Sequence, residues 1–343
     1  MIKLSALLLA AVLLSACGPA PAPHTVTELS GATMGTTYSV KVVDLPGSVD
    51  VDSLRSDVDG VLRDINAMMS TYDPASELSR FNTHAGNDWF AVSPEVVEVI
   101  MEARRVSELS GGRFDVTVGP LVELWGFGAP DTGNAVPSDQ AVRDARARVG
   151  FEKLDVRMQP PGLRKTEPGL HVDLSAIAKG YAVDRVSALL ASRGLAHHLV
   201  EIGGELRGRG MSHRAVPWRI GVERPDATGR SVYAAVNLAD RGMATSGDYR
   251  NFFEREGQRY SHTMDPRTGR PVRSGLASVT VVADTCMSAD ALATALMALG
   301  PVDAFALAEQ EGIAAFFIER TDTGFRDRAT RAYAQLTLGA KSS

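Results

Sequence analysis

Hydrophobic patterning in the middle of the chain predicts a strand that runs directly into a helix. Leu170, Val172 and Leu174 alternate with polar residues, which is the two-residue period of a strand. From Ser175 onward the apolar residues recur at helical spacing, and Gly194 provides a helix stop signal. The start of such a helix presents free N–H groups and a positive dipole end. This junction is therefore a candidate anion site, although similar junctions occur in α/β proteins that bind nothing there.

Two residues at this junction carry useful chemistry. Lys179 is expected one turn inside the helix, where its ammonium group could reinforce a bound phosphate. Asp173, at the end of the strand, could accept hydrogen bonds from a sugar or a base.

Periodicity in the rest of the chain predicts helices and strands separated by turn residues. Helices are predicted over residues 54–69, 93–110, from 138 onward, 288–299 and 302–311. Strands are predicted over residues 26–33, 36–43, 151–158, 195–202, 218–222, 232–238, 276–283 and 313–319. Three stretches are predicted as loops or turns: 70–82, 119–128 and 243–253. No repeat or low-complexity linker divides residues 25–338, so the pattern predicts one compact α+β unit.

Composition narrows the class of protein. The chain has 343 residues, of which 44% are hydrophobic and 22% charged, and it carries a net charge of -5. These values are typical of globular protein and argue against a nucleic-acid-binding surface. Nucleic acid is therefore not expected as a partner.

The N-terminus has the pattern of a secretory signal. Lys3 precedes an apolar run over residues 4–14, and Cys17 follows in a setting that resembles a bacterial lipobox. A transmembrane helix is the alternative, but the run is shorter than the roughly 20 residues that a bilayer span requires. We therefore expect residues 1–17 to end in a lipid-bearing Cys17, with residues 18–24 forming a Pro/Ala tether.

Cys286 is the one other cysteine, so an intramolecular disulfide is not expected if Cys17 carries lipid. Nothing near Cys286 in the sequence would activate a thiol. We interpret it as a small buried residue.

Asp290 and Thr294 lie four residues apart on a predicted helix and therefore on one face. Together they would supply half of a site for a hard cation. Two alternatives remain, because Asp in a first helical turn suits the helix dipole and Thr often bonds back to its own helix. Magnesium fits better than zinc, since the sequence has no Cys and His cluster with zinc spacing.

Seven motifs in order resemble the ApbE-type FAD:protein FMN transferases. They are Thr33-Met34-Gly35-Thr36, Asp115-Val116-Thr117-Val118-Gly119-Pro120, the stretch from Asp173 to Tyr181, Gly203-Gly204-Glu205, Thr245-Ser246-Gly247-Asp248-Tyr249-Arg250, His262 with Asp265-Pro266, and Ala289-Asp290-Ala291 with Thr294. The resemblance spans residue 25 to near the C-terminus.

This resemblance implies both a fold and a reaction. The fold would be a compact, two-lobed α+β unit related to the T-fold, with mixed or antiparallel sheets flanked by helices, over residues 25–343. The reaction would be Mg²⁺-dependent: FAD is split at its pyrophosphate, FMN is esterified to a Thr or Ser of an exported or membrane protein, and AMP leaves.

The resemblance also implies the site residues. The FAD contacts would be Met34, Tyr72, Arg113, Phe114, Asp115, Asp173, Lys179 and Met264. The metal would be held by the backbone carbonyl of Ala176 and the side chains of Asp290 and Thr294. Three protein oxygens, completed by phosphate oxygens and water, suit a hard cation.

A base is needed because a threonine hydroxyl at its free pKa is a poor nucleophile. His262 is the candidate, since imidazole titrates near neutral pH and lies just before the turn that contains Met264 and Asp265. The alternative is a structural histidine that bonds the turn backbone.

Two other functions share these residues. With water as the nucleophile the same site would be an FAD pyrophosphatase, and without catalysis it would be an FAD-binding lipoprotein. The resemblance further implies that the acceptor is a subunit of an NADH:quinone reductase or of an Rnf-type complex. We expect the protein to be anchored by lipid on the periplasmic side of a bacterial membrane, with the inner membrane favoured.

Overall fold

The computed structural model describes residues 24–128, 135–226, 231–249, 252–255 and 258–338. The predicted signal, Cys17 and nearly all of the predicted tether lie outside these residues. Within the described ranges, no helix combines the length and the apolar character needed to cross a bilayer.

The helices in this part of the chain are α1 (Val51–Met69), α2 (Glu77–Thr83), α3 (Pro94–Leu109), α4 (Gly119–Leu124), α5 (Asp139–Arg146), α6 (Ala178–Ser192), α7 (Cys286–Leu299), α8 (Pro301–Gln310) and α9 (Arg331–Leu338). The strands are β1 (Val26–Thr33), β2 (Thr36–Val43), β3 (Phe90–Ala91), β4 (Leu154–Met158), β5 (Pro161–Lys165), β6 (His198–Ile202), β7 (Glu205–Arg209), β8 (Trp218–Glu223), β9 (Val232–Leu238), β10 (Gly242–Gly247), β11 (Phe252–Arg255), β12 (Gln258–Ser261), β13 (Met264–Asp265), β14 (Arg270–Pro271), β15 (Leu276–Ala283), β16 (Ala314–Thr321) and β17 (Gly324–Ala329).

One eight-stranded sheet organises the fold. Its strand order is β1-β2-β6-β7-β10-β15-β16-β17, and every neighbouring pair is antiparallel. Helices α6 and α7 pack on one face over the main hydrophobic core. The β8–β9 hairpin and α9 cover the other face over a second apolar cluster. The predicted α+β class, with antiparallel sheets flanked by helices, is confirmed.

Burial on both faces explains the composition of the central strands. β15 is buried at every position except its last, because both sheet faces are covered there. Next to it, β10 consists of small residues apart from Met243, and a Cβ on Gly242 would lie 2.3 Å from the backbone nitrogen of Cys286. The turn predicted over residues 243–253 is therefore wrong over residues 243–247, where mostly small residues allow α7 to approach a central strand, and at residues 252–253, which pair in β11.

Most of the predicted helices and strands are present. Ser93 caps α3 and Ser138 caps α5, as their sequence signals predict. Two elements beyond the last predicted strand, β17 and α9, carry weak periodicity and are absent from the prediction.

Two predicted loops contain helices. Within residues 70–82, Ser76 caps α2, whose Leu78 and Phe81 are fully buried. The stretch 119–128 begins with α4, whose Pro120 occupies the first turn, where it disrupts no helical hydrogen bond.

The predicted strand at Leu170–Leu174 is also wrong. It forms only an isolated bridge between His171 and Val118. The side-chain amide of Asn82 occupies both backbone groups of Val172, at 2.8 Å each, and so replaces a sheet ladder. Downstream, α6 begins at Ala178 rather than near Ser175. Similarly, the first three residues of the strand predicted over 151–158 form a 3-10 turn.

Candidate functional site

The candidate site lies where α6 meets α7, and Gly180 sets how closely these helices approach. A Cβ at this position would lie 2.4 Å from the carbonyl oxygen of Cys286 and 2.8 Å from the Cα of Met287. Both atoms belong to the backbone of α7, so no side-chain rotation could relieve the contact. The carboxylate of Asp184, one turn further along α6, accepts the backbone N–H groups of Cys286 and Met287 at 3.0 and 2.9 Å. Glycine and aspartate thus fix the start of α7 against α6.

This packing gives a partner to one backbone N–H group at the start of α6. Gly180 is the third residue of α6, and the first N–H groups of a helix have no partner within the helix. The amide of Gly180 donates to Oδ2 of Asp290, at 3.0 Å. Ala176 lies just before the helix, and among the described residues its carbonyl accepts no hydrogen bond.

Thr294, one turn beyond Asp290, adds a third oxygen. Its side chain is partly exposed, and within the described part of the chain its hydroxyl makes neither a bond back to its helix nor any other hydrogen bond. The alternative of a back-bonded threonine is therefore not what the structure shows. A carbonyl, a carboxylate and a hydroxyl, all oxygen donors, fit a hard cation such as Mg²⁺.

Other ligand types are not gathered here. In the described ranges, no three His, Cys, Asp or Glu side chains come together as a set of metal ligands. A metal at this site would depend on the carbonyl of Ala176 and the hydroxyl of Thr294 in addition to Asp290.

Lys179 and Glu205 complete the polar cluster around Asp290. The ammonium nitrogen of Lys179 lies 3.7 Å from Oδ2 of Asp290, 3.4 Å from Oε1 of Glu205 and 3.2 Å from the carbonyl oxygen of Ser175. Burial lowers the pKa of Lys179, but the two carboxylates outweigh it, so the pKa is raised. Burial and the charge of Asp290 raise the pKa of Glu205, and Lys179 offsets only part of this.

The proposed FAD contacts at residues 113–115 are largely turned inward. The carboxylate of Asp115 accepts hydrogen bonds from the backbone and hydroxyl of Thr117 and from the backbone of Phe151. Burial raises its pKa to about 6 despite these bonds. Phe114 is only 3% exposed and belongs to the main core. FAD contacts from these two residues would have to come from their backbone.

Arg113 ties the same loop to the end of α7. Its guanidinium lies 3.4 Å from Oδ2 of Asp265 and 3.3 Å from the carbonyl of Ala298. Ala298, Thr294 and Asp290 follow one another at four-residue spacing, so they share one face of α7. The predicted FAD contact at Arg113 therefore meets the same helix that carries two of the three predicted metal ligands, Asp290 and Thr294.

Asp173 and Tyr72 stand near one another at the surface. The backbone N–H of Ser175 donates to Oδ1 of Asp173 at 2.8 Å, which holds the carboxylate at the turn before α6. Tyr72 is 67% exposed, and partial desolvation together with the charge of Asp173 raises its pKa. The hydroxyl of Tyr72 reaches the carbonyl of Phe127 at 3.5 Å, and the ring of Phe127 lies 6.5 Å from that of His262. Tyr72 is thus close to Asp173 on one side, and on the other side it is linked to the candidate base His262 through Phe127.

The remaining predicted contacts occupy different positions. Met34 lies at the β1–β2 turn with φ of 48°, partly buried against the main core. The neighbouring Thr36 approaches Gly203, where a Cβ would lie 2.9 Å from its methyl carbon. Met264 is only 6% exposed and packs in a third apolar cluster, together with Trp125 and Tyr260. The side chain of Met264 therefore offers little surface to a ligand.

The interpretation of Cys286 as a structural residue can also be compared with the structure. Cys286 is fully buried, and burial raises the pKa of its thiol, as expected of a structural cysteine. His198 is also fully buried, bonded to Ser187 at 2.8 Å and to the carbonyl of Leu195 at 2.7 Å. A cavity of about 710 Å³ shares only Asp115 with the predicted site residues.

Sequence reasoning assigned no role to Gly180, Asp184 or Glu205. Glu205 belongs to a quoted motif, but its contact with Lys179 joins residues that are far apart in the sequence. Gly180 had a local signal, since glycine in the interior of a predicted helix usually has a packing reason.

Comparison with known proteins shows the family to which the chain belongs. A sequence model of the ApbE family matches residues 34–317. An FAD:protein FMN transferase of Vibrio cholerae is 46% identical over 325 residues, which cover 95% of this chain and 96% of that protein. A second such transferase, from Haemophilus influenzae, is 43% identical over 91% of this chain and 92% of its own.

Solved structures show the same fold. The flavin transferase ApbE from Vibrio cholerae aligns with a TM-score of 0.85 and 44% identity, over 92% of this chain and 100% of that one. The apo form of the Pseudomonas stutzeri flavinyl transferase ApbE aligns with a TM-score of 0.84 and 39% identity, over 92% and 98% of the two chains. The chain therefore belongs to the ApbE family, among relatives that are FAD:protein FMN transferases.

Proposed function

We propose that this protein is a Mg²⁺-dependent FAD:protein FMN transferase that moves FMN from FAD to a Thr or Ser of an acceptor protein and releases AMP. The names of its relatives support the transfer, and one structural observation supports the metal. Among the described residues, the carbonyl of Ala176 and the hydroxyl of Thr294 make no hydrogen bond, and the carboxylate of Asp290 accepts one only at Oδ2, from the amide of Gly180.

The reaction exchanges one phosphorus–oxygen bond for another. The acceptor hydroxyl oxygen bonds to the FMN phosphorus, the bond from that phosphorus to the bridging oxygen breaks, and AMP leaves with that oxygen. Bound Mg²⁺ would neutralise the charge that develops on the phosphate oxygens. Asp290 contributes the negative charge that favours a cation at this position, and its burial, with 5% exposed, strengthens that attraction.

His262 is the proposed base that takes the proton of the acceptor hydroxyl. Its position supports this role, because its ring lies 6.5 Å from that of Phe127, whose carbonyl accepts a hydrogen bond from Tyr72. Tyr72 offers an exposed aromatic face to a flavin or adenine ring. Asp173, held by Ser175, keeps its second carboxylate oxygen for the hydroxyl or amino groups of FAD.

The acceptor and the location are also part of the proposal. The family resemblance favours a subunit of an NADH:quinone reductase or an Rnf-type complex as acceptor. Lipid on Cys17 would hold the protein on the periplasmic side of the membrane, with the inner membrane favoured. Labelling of Cys17 by a fatty acid in cells, lost in Cys17→Ala, tests the anchor separately from catalysis.

The transfer itself can be tested with the purified full chain. It is mixed with FAD, Mg²⁺ and a fragment of a candidate acceptor that carries the target Thr, and the acceptor is weighed by mass spectrometry. Asp303 provides a matched control, because Asp303→Ala removes an exposed first-turn carboxylate from a neighbouring helix.

The proposal predicts a mass gain of one FMN on the acceptor, with an equal amount of AMP, in the wild type and in Asp303→Ala. Omitting Mg²⁺ or introducing Asp290→Ala should remove the gain. Free FMN and AMP, with no FMN on any of several candidate acceptors, would identify a pyrophosphatase instead. Intact FAD throughout would identify a binding protein, and either result contradicts the proposal.

A further inference from the structure

Glu205 has a buried carboxylate with one oxygen unused. It follows Gly203 and Gly204 as the first residue of β7 and is 5% exposed. Its Oε1 faces Lys179 at 3.4 Å, whereas its Oε2 is sealed from solvent and has no hydrogen-bond partner among the described residues. An unpartnered buried carboxylate oxygen is costly, so its presence calls for a role.

The ammonium group of Lys179 is shared between two carboxylates without a close contact to either. It lies 3.7 Å from Oδ2 of Asp290 and 3.4 Å from Oε1 of Glu205. Both separations exceed the usual length of a charge-assisted hydrogen bond, which is about 2.7–2.9 Å. The lysine is therefore positioned to move toward either acid.

The metal site proposed above would compete with this lysine. A divalent cation bound to Asp290 would bring two positive charges to the carboxylate that Lys179 also contacts. Two cations on one partly desolvated carboxylate repel each other, so metal binding favours a shift of the ammonium away from Asp290.

We propose that Glu205 is a positioning residue that receives the ammonium of Lys179 when a divalent cation binds Asp290. The inference rests on the metal site of the proposed function and adds a residue to which no role has been assigned. In that state its unpartnered Oε2 gains a donor, and the positive charge of Lys179 moves away from the carboxylate of Asp290.

The local backbone leaves room for this movement. A Cβ on Gly203 would lie 3.4 Å from both Oε2 of Glu205 and Cδ of Lys179, so a side chain at this position would contact both groups. Gly203 also has φ of +62°, a conformation that favours glycine. Glycine at this position therefore keeps the space next to the carboxylate and the lysine stem free of a side chain.

The test measures affinity for Mn²⁺, used as the probe, by calorimetry on the full chain without FAD. Glu205→Gln keeps the shape and removes the charge, and we expect the dissociation constant to rise about tenfold, within the range typical of residues that orient metal ligands. Lys179→Met removes the competing cation. In that background the further change Glu205→Gln should alter the dissociation constant by less than about twofold.

Glu201 supplies the matched control. Its carboxylate accepts a hydrogen bond from the amide of Gly204 at 2.8 Å, in the same hairpin, and Glu201→Gln retains that acceptor. We expect wild-type affinity for Mn²⁺ in this variant. Thermal unfolding of every variant confirms that the comparison is made on folded protein.

Three results would overturn the inference. One is wild-type affinity in Glu205→Gln. Another is an equal loss with and without Lys179, which would show that Glu205 acts on the metal directly. The third is a wild-type chain that binds no Mn²⁺, and this alone would also remove the metal site of the proposed function.

Discussion

Gly180→Ala is the substitution that most directly tests how α6 and α7 build the site. The added methyl group would lie 2.4 Å from the carbonyl oxygen of Cys286 and 2.8 Å from the Cα of Met287. The two helices would have to separate, which would strain the hydrogen bond of 3.0 Å from the amide of Gly180 to Asp290.

The expected cost follows from three effects. Overpacking of a well-packed contact costs about 1–3 kcal/mol. Loss of a hydrogen bond to a charged group costs about 1.5–3 kcal/mol. The higher helix propensity of alanine than of glycine offsets about 1 kcal/mol of this loss in stability. The free energy of unfolding should therefore fall by about 1.5–5 kcal/mol, which corresponds to a melting temperature lower by roughly 3–10 °C.

Gly60→Ala is the matched control for this experiment. Gly60 also lies inside a helix, α1, but a Cβ there would meet only the guanidinium of Arg63, at 3.8 Å. Thermal and denaturant unfolding should show a gain of about 0.5–1 kcal/mol for Gly60→Ala and a loss for Gly180→Ala. If Gly180→Ala were as stable as Gly60→Ala, the account of close α6–α7 packing would be refuted.

Three further predictions concern catalysis and pH. Asp290→Ala should abolish Mg²⁺-dependent turnover while circular dichroism shows an intact fold, and undiminished turnover would remove the metal site. His262→Ala should leave FAD binding unchanged in a fluorescence titration but slow transfer by about 10²–10⁴-fold, the usual effect of losing a general base, and full activity would make the histidine structural. Burial lowers the pKa of His198 to about 4, so the unfolded chain takes up the proton first and stability is lost as pH falls from about 6.5 toward 4. Denaturant unfolding should show this loss, about 3 kcal/mol at pH 4, in the wild type but not in His198→Gln, and parallel pH curves would contradict it.

Local signals in the sequence predict much of the fold. Ser93 and Ser138 predict the starts of their helices correctly, because an N-cap acts within one helical turn. The strand predicted over residues 276–283 has the same bounds as β15. The order of motifs likewise identifies the family, because it depends on residue types rather than on distances.

The secondary-structure predictions are wrong where residues that are distant in the sequence determine the local structure. The alternation at Leu170–Leu174 predicts a strand, but Asn82, about 90 residues earlier, occupies the backbone groups that a ladder would need. The small residues of β10 resemble a turn, yet they lie in the centre of the sheet because α7 packs closely against them.

In the candidate site, too, features that depend on nearby residues can be predicted from the sequence, and features that depend on distant residues cannot. Spacing on one helix places Asp290 and Thr294 together, and this needs no knowledge of the fold. The hydrogen bond from Gly180 to Asp290 cannot be read from the sequence, because these residues are 110 positions apart. The inward orientation of Asp115 depends in the same way on Phe151.

The location of the metal is the most direct test of the account as a whole. Crystals of the protein grown with FAD and Mn²⁺ would be measured at the manganese absorption edge, where the anomalous signal marks the ion alone. We predict a peak about 2.0–2.6 Å from the carbonyl oxygen of Ala176, the carboxylate of Asp290 and the hydroxyl of Thr294, a range that covers oxygen ligands of hard cations. A peak bound elsewhere on the chain, or a manganese that touches FAD but none of these three oxygens, would contradict the proposed site.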